Sequence, residues 1–128
     1  MNLSTPLKPI IVFSILLLLI DLIWLIGGKS LHQRTVMNVQ KEPLVLRPLP
    51  ASIFYIIAAI AFYVLVYSEK DPQKYILKAI MFGLVAYGTF DFTNLAIFKN
   101  YPWKYAILDT LWGMFAVTIT ALLVKKIF

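Results

Sequence analysis

The sequence predicts an all-α integral membrane protein, a four-transmembrane-helix bundle with both termini on the same side. Three observations predict it. Of the 128 residues, 61% are hydrophobic and only 14% are charged, whereas a soluble domain is about half apolar and a quarter charged. The mean hydropathy is +0.83. The apolar residues are also gathered into four runs, each close to the ~20 residues that cross ~30 Å of hydrocarbon. Backbone groups in lipid must pair within their own segment, so the runs are read as helices. Residues 1–128 are read as one transmembrane domain, with no room for a separate soluble one.

The spans follow in order as residues 10–28, 51–67, 79–98 and 105–124. The first contains a single charge, Asp21, and ends at Gly27-Gly28. Its apolar stretch is longer than that of a cleaved leader, and no Ala-x-Ala-like site follows, so it is expected to stay in the protein. Residues 29–50 form the longest connection, with a weak amphipathic pattern over 31–39. The second span has no charge. Asp71-Pro72 opens the turn to the third span, and Asn100-Tyr101-Pro102 opens the turn to the fourth. Tyr67, Tyr75, Trp103 and Tyr105 fall at span ends, where an aromatic belt belongs.

Charge excludes several classes. The net charge of +6 is spread between apolar runs, which suits anionic lipid headgroups. No basic stripe with interleaved aromatics appears, so nucleic acid is not an expected partner. Cysteine is absent, which removes disulfides, thiolate metal sites and thiol nucleophiles. Gly28-Lys29-Ser30 lacks the earlier glycine of a phosphate-binding loop, because Ile23 stands there. No cofactor or metal site is read from the sequence. The expected partners are membrane lipids and a small cation or lipid-like ligand, and a homo-oligomer is left open. The expected location is a bacterial-type cell membrane. Lys and Arg number six on each side, so the positive-inside rule leaves the orientation undecided.

The aspartates within the spans carry the functional reading. Call the face holding residues 29–50 side B. Asp21 lies seven residues before Gly28, Asp91 seven before Phe98, and Asp109 four after Tyr105. At 1.5 Å per residue their depths below side B are about 10, 10 and 6 Å. A carboxylate within a span costs on the order of 2.5–3.5 kcal/mol on the insertion scale, so three of them should face the bundle interior with partners. Residues three, four or seven apart share a helix face. That places Trp24 with Asp21, Tyr87 and Asn94 with Asp91, and Trp112 with Asp109, while Tyr55 reaches similar depth on the second span. The expected object is a pocket open toward side B, lined by Asp21, Trp24, Tyr55, Tyr87, Asp91, Asn94, Asp109 and Trp112. No Lys or Arg lies in a span at that depth. His32, Arg34, Arg47 and Lys104 could reach in from the connections, although His32 itself reads as a solvated loop residue.

The pattern resembles the domain of unknown function 2177 family of small bacterial membrane proteins. The resembling pieces are Asp21-x-x-Trp24-Leu25, Pro50-Ala51-x-x-Phe54-Tyr55, Phe82-Gly83-x-x-x-Tyr87-x-Thr89-x-Asp91-x-Thr93-Asn94-x-Ala96, and Asp109-x-x-Trp112-Gly113. Phe90 stands where the pattern has Tyr, and Tyr101-Pro102 where it has Trp-Pro. The resemblance implies a shared four-helix architecture and no particular activity.

Three readings of the site remain. In the first, the acidic, aromatic-lined pocket binds or transports a cation, a proton or a small amine, with Asp91 the exchangeable group. In the second, Asp91 and Asp109 perform acid–base chemistry on a lipid or isoprenoid chain. In the third, the carboxylates are structural: the repeated Asp-x-x-Trp spacing forms two locks, Asp21 with Trp24 and Asp109 with Trp112, in an accessory subunit.

Overall fold

A computed structural model describes residues 4–128. It contains five helices: α1 (Ser4–Gly27), α2 (Lys29–Gln40), α3 (Pro48–Phe62, continued by a wide π-helical turn over Tyr63–Tyr67), α4 (Pro72–Ile97) and α5 (Trp103–Ile127). Four are long and apolar enough to cross a membrane: α1, α3 with its π turn, α4 and α5. They run up, down, up and down, so the start of α1 and the end of α5 fall on the face opposite α2. In contact order they form a ring: α1 packs on α3 and α5, α4 packs most extensively on α5, and α3 touches α4 mainly through its π turn.

The punctuation residues set the helix starts. Asp71 caps α4, its carboxylate accepting from the Lys74 backbone amide at 3.3 Å, with Pro72 in the first turn. A proline there has no amide hydrogen to leave unpaired. Pro48 opens α3 in the same way. Because Asp71-Pro72 is a cap, α4 begins seven residues before the apolar run does, and Lys74 and Lys78 ride on its first two turns. Long lysine stems lie along apolar surface while the ammonium reaches water. Lys78 pairs with Glu69 at 2.6 Å.

The core is small-on-large. Phe13 stacks on Phe62 with centroids 4.0 Å apart, and Leu17, Ala59, Val117, Ala121 and Val124 close around them. Between α4 and α5 the backbones nearly touch. A Cβ on Gly83 would sit 2.6 Å from the Gly113 carbonyl oxygen, and a Cβ on Gly113 would fall inside the Tyr87 ring. Without a hydrophobic drive between helices in lipid, such close backbone approach supplies the packing.

The connection after α1 is mostly helix rather than loop. α2 buries only His32 and Thr35 and lies against the side B end of α1. It ends at Lys41, whose φ of 62° is the left-handed turn that stops a helix.

Candidate functional site

The three aspartates lie where the spans predict, buried inside the bundle. Their hydrogen bonds sort them into two groups, an inner tier on Asp21 and an outer tier on Asp91 and Asp109. The inner tier is built on Asp21. One of its carboxylate oxygens accepts from the hydroxyls of Tyr55 and Tyr87, each at 2.7 Å, and the other accepts from the Trp112 indole at 2.8 Å. Donors from α3, α4 and α5 thus converge on one α1 side chain. Three donors on a single carboxylate satisfy most of its acceptor capacity.

The outer tier holds Asp91 and Asp109. Asp91 is fully buried and accepts from the Tyr101 hydroxyl at 2.7 Å and the Thr110 hydroxyl at 3.3 Å. Asp109 accepts from the Trp24 indole at 2.8 Å. Thr110, which donates to Asp91, is the next residue along α5 from Asp109, so the two carboxyls are neighbours. Among the described residues no salt bridge involves any of the three aspartates. Nor does any group of three or more His, Cys, Asp or Glu stand together as metal ligands among them.

The tryptophans pair across helices. The local reading of Asp-x-x-Trp joins Asp21 to Trp24 and Asp109 to Trp112. Instead Trp24 donates to Asp109 and Trp112 to Asp21. The cause is the antiparallel register of α1 and α5: three residues further along each chain, the tryptophan comes level with the other helix's aspartate. The two indoles stack between the tiers, 5.4 Å apart and 12° from parallel.

His32 is buried, at 3% exposure, not solvated as the loop reading expects. One ring nitrogen lies 3.1 Å from the Trp24 carbonyl oxygen and the other 2.8 Å from the Tyr105 hydroxyl. A carbonyl only accepts, so Nε2 carries the hydrogen and Nδ1 accepts from Tyr105. Gly28 makes room for this ring, since a Cβ there would come within 3.0 Å of Nε2. The side expected to be the pocket mouth is therefore covered by α2 and His32.

The open space lies to the side. A cavity of about 310 Å³ between α3 and α4 is lined by Phe54, Ala86, Tyr87, Phe90 and Asp109. Of the three aspartates only Asp109 lines it. Asn94 borders a separate groove of about 340 Å³ under α2, beside Tyr101 and Tyr105. Seven of the eight expected residues are thus the buried aspartates themselves or donors to them, while Asn94 borders the groove under α2. Tyr101, Thr110 and Tyr105 are members the sequence reading does not include, and His32, one of the four residues expected to reach in from the connections, bonds Trp24 and Tyr105 rather than an aspartate. Tyr101 sits outside the spans, where burial, followed by its bond to Asp91, pushes its hydroxyl above the ordinary tyrosine range. A turn tyrosine that can fold back ten residues onto Asp91 was the available signal.

A bundle of four membrane-crossing helices around buried carboxylates and aromatics defines an integral membrane protein with a polar interior. The chain belongs to the family described as predicted membrane protein (DUF2177), whose model matches residues 7–125. No curated protein and no solved structure matches it.

Proposed function

We propose that the protein binds a small organic cation, a protonated amine, at the Asp91–Asp109 pair, and that this binding is the first step of carrying it within the membrane. The observation that carries this reading is Asp109 at the wall of an aromatic cavity. A charge on the Asp109 carboxylate would stand in a low-dielectric interior. No lysine or arginine pairs with it among the described residues. A cation is the ligand that such a charge favours. Tyr87, Phe54 and Phe90 line the cavity, and an ammonium held over an aromatic ring gains about 0.5–2 kcal/mol, more as the site is desolvated. Asp21 has a different role in this reading. Its three donors leave it little capacity for a ligand, so it holds α1, α3, α4 and α5 in register.

The test is binding of butylammonium to purified protein, wild type beside Asp109→Asn and Asp91→Asn. Binding by wild type and its loss in Asp109→Asn supports the reading. Equal binding by all three proteins, or none by a folded wild type, overturns it.

A second reading is favoured by the same lateral opening. A cavity that faces lipid would also admit an acyl or isoprenoid chain to acid–base chemistry at Asp91 and Asp109. Comparison of lipid profiles from cells with wild-type protein and with Asp109→Asn separates the two. A missing or accumulated lipid species favours chemistry, and identical profiles favour binding alone.

A further inference from the structure

The seam between α3 and α4 carries the amine proposal further, and the inference rests on that reading. We infer that the ligand is a long-chain amphiphilic amine that enters sideways from the bilayer, its ammonium head at Asp109 and its tail along the α3–α4 seam. Two adjoining spaces make the case. The head cavity, about 310 Å³, ends at Ala86. A second groove, about 440 Å³, begins at the same Ala86 and runs past Val85, Met81 and Leu65 to Lys78. From residue 86 to residue 78 is about 12 Å along a helix. The two helices that form the seam meet mainly at the π turn of α3, so the seam is parted at the head cavity beside Phe54, and the tail groove runs on over the outside of the π turn at Leu65. The tail groove is almost wholly apolar in lining, whereas the head cavity contains Asp109.

The closed side supports the same route. α2 and buried His32 lie over the Trp24–Asp109 end of the network toward side B, and the groove under α2 ends at Tyr101 and Tyr105 with no aspartate in its wall. A ligand from lipid meets only Phe54 and Phe90 at the cavity rim. Both rings are exposed on the lipid-facing surface, Phe54 at 37% and Phe90 at 58%. Charge complementarity selects the head: a carboxyl pair would repel a fatty acid and would gain least from a neutral alcohol.

The experiment uses full-length protein in phosphatidylcholine nanodiscs, with dodecylammonium, dodecanol and butylammonium as probes and native mass spectrometry as the readout. Partition into the disc raises the apparent affinity of any long chain, so the variants carry the test. Leu65→Trp and Val85→Trp fill the tail groove at lipid-exposed positions, where the fold tolerates a larger ring. Each is expected to weaken dodecylammonium by about tenfold or more while butylammonium binds as in wild type. Dodecanol is expected to bind neither stoichiometrically nor in competition. Dodecylammonium binding unchanged in both groove variants overturns the tail assignment, and dodecanol binding as tight as the amine overturns the head assignment. Either failure leaves the butylammonium result standing. Loss of the amine site altogether would appear as wild-type protein that binds neither amine.

Discussion

Trp24 stacks on Trp112, and each donates its indole hydrogen to the aspartate three residues before the other, at 2.8 Å in both cases. The exchange ties α1 to α5 at two levels through one aromatic pair. A double-mutant cycle is expected to find this crossing. Trp24→Phe combined with Asp109→Asn should show a coupling of about 0.5–3 kcal/mol in denaturant unfolding, and Trp24→Phe with Asp21→Asn much less. Coupling to the sequence neighbour instead would mean that the locks are local to each helix.

How much of this was readable in advance depended on range. The spans needed only composition, and each observed helix contains nearly all of its expected segment. The expected start at Ala79 was late because Lys74 and Lys78 interrupt the apolar run without interrupting the helix. That the aspartates are buried was readable from their place in the spans, but residue counts set Asp21 level with Asp91, whereas the hydrogen bonds set Asp91 beside Thr110 and Asp109 and Asp21 apart from both. The partners of the aspartates were not readable: spacing within one helix cannot reveal the register of its neighbour, and the exchange of Trp24 and Trp112 exists only across helices. α2 was faint for a related reason. It buries two side chains, His32 and Thr35, too few to leave an apolar stripe.

The α4–α5 contact leaves no room at Gly113. Its added Cβ would occupy the ring of Tyr87, and Tyr87 is itself bonded to Asp21. Gly113→Ala is expected to cost about 1–3 kcal/mol of stability from overpacking. Gly27→Ala, with nothing within 4 Å, is the matched control and is expected to be neutral or slightly stabilising. Similar unfolding midpoints for the two variants would rule out the close approach.

Asp21 and Asp109 should separate on substitution. Asp21→Asn places a carboxamide where three donors converge, so at least one donor is left facing an NH₂ group or must turn away. An unmet buried hydrogen-bonding group costs about 1–3 kcal/mol, and a fall of that size in the unfolding free energy is expected. Asp109→Asn loses one bond from Trp24 and should fall less, while losing amine binding. A stable Asp21→Asn protein that fails to bind amine would reverse the two roles.

Glu69 gives a pH prediction outside the spans. The hydrogen bond from Lys78 holds its carboxyl below the ordinary carboxylate range, helped by the Asp71 backbone amide. A depressed folded-state value means that the pairing stabilises above the unfolded carboxylate pKa and is lost as pH falls through the folded one. The Glu69 carboxyl carbon should therefore titrate at lower pH in wild type than in Lys78→Met. Added salt should shrink the difference, because the Lys78 ammonium is exposed to solvent ions. Identical titration curves would mean that Lys78 is not bonded to Glu69 in solution.

His32 fastens α2 over the outer tier. Its ring bridges the Trp24 carbonyl on α1 and the Tyr105 hydroxyl on α5, and it meets both aromatic rings edge-on, at 5.0 and 5.5 Å. α2 otherwise buries only Thr35, whose hydroxyl bonds back to the Leu31 carbonyl within the same helix. Most of the attachment of α2 to the bundle therefore runs through one side chain. His32→Phe keeps the bulk and removes both hydrogen bonds, and leaves the Tyr105 hydroxyl to find another acceptor. Opening of α2 should become easier by about 1–3 kcal/mol, the cost of the lost bonds, while the spans unfold almost as before. Hydrogen exchange reads this directly. Amides over 29–40 should exchange roughly five- to a hundredfold faster in the variant, and those of α4 and α5 at the wild-type rate. Unchanged exchange over 29–40 would mean that α2 is held by its contact with α1 alone, and that His32 rests in the fold without fastening it.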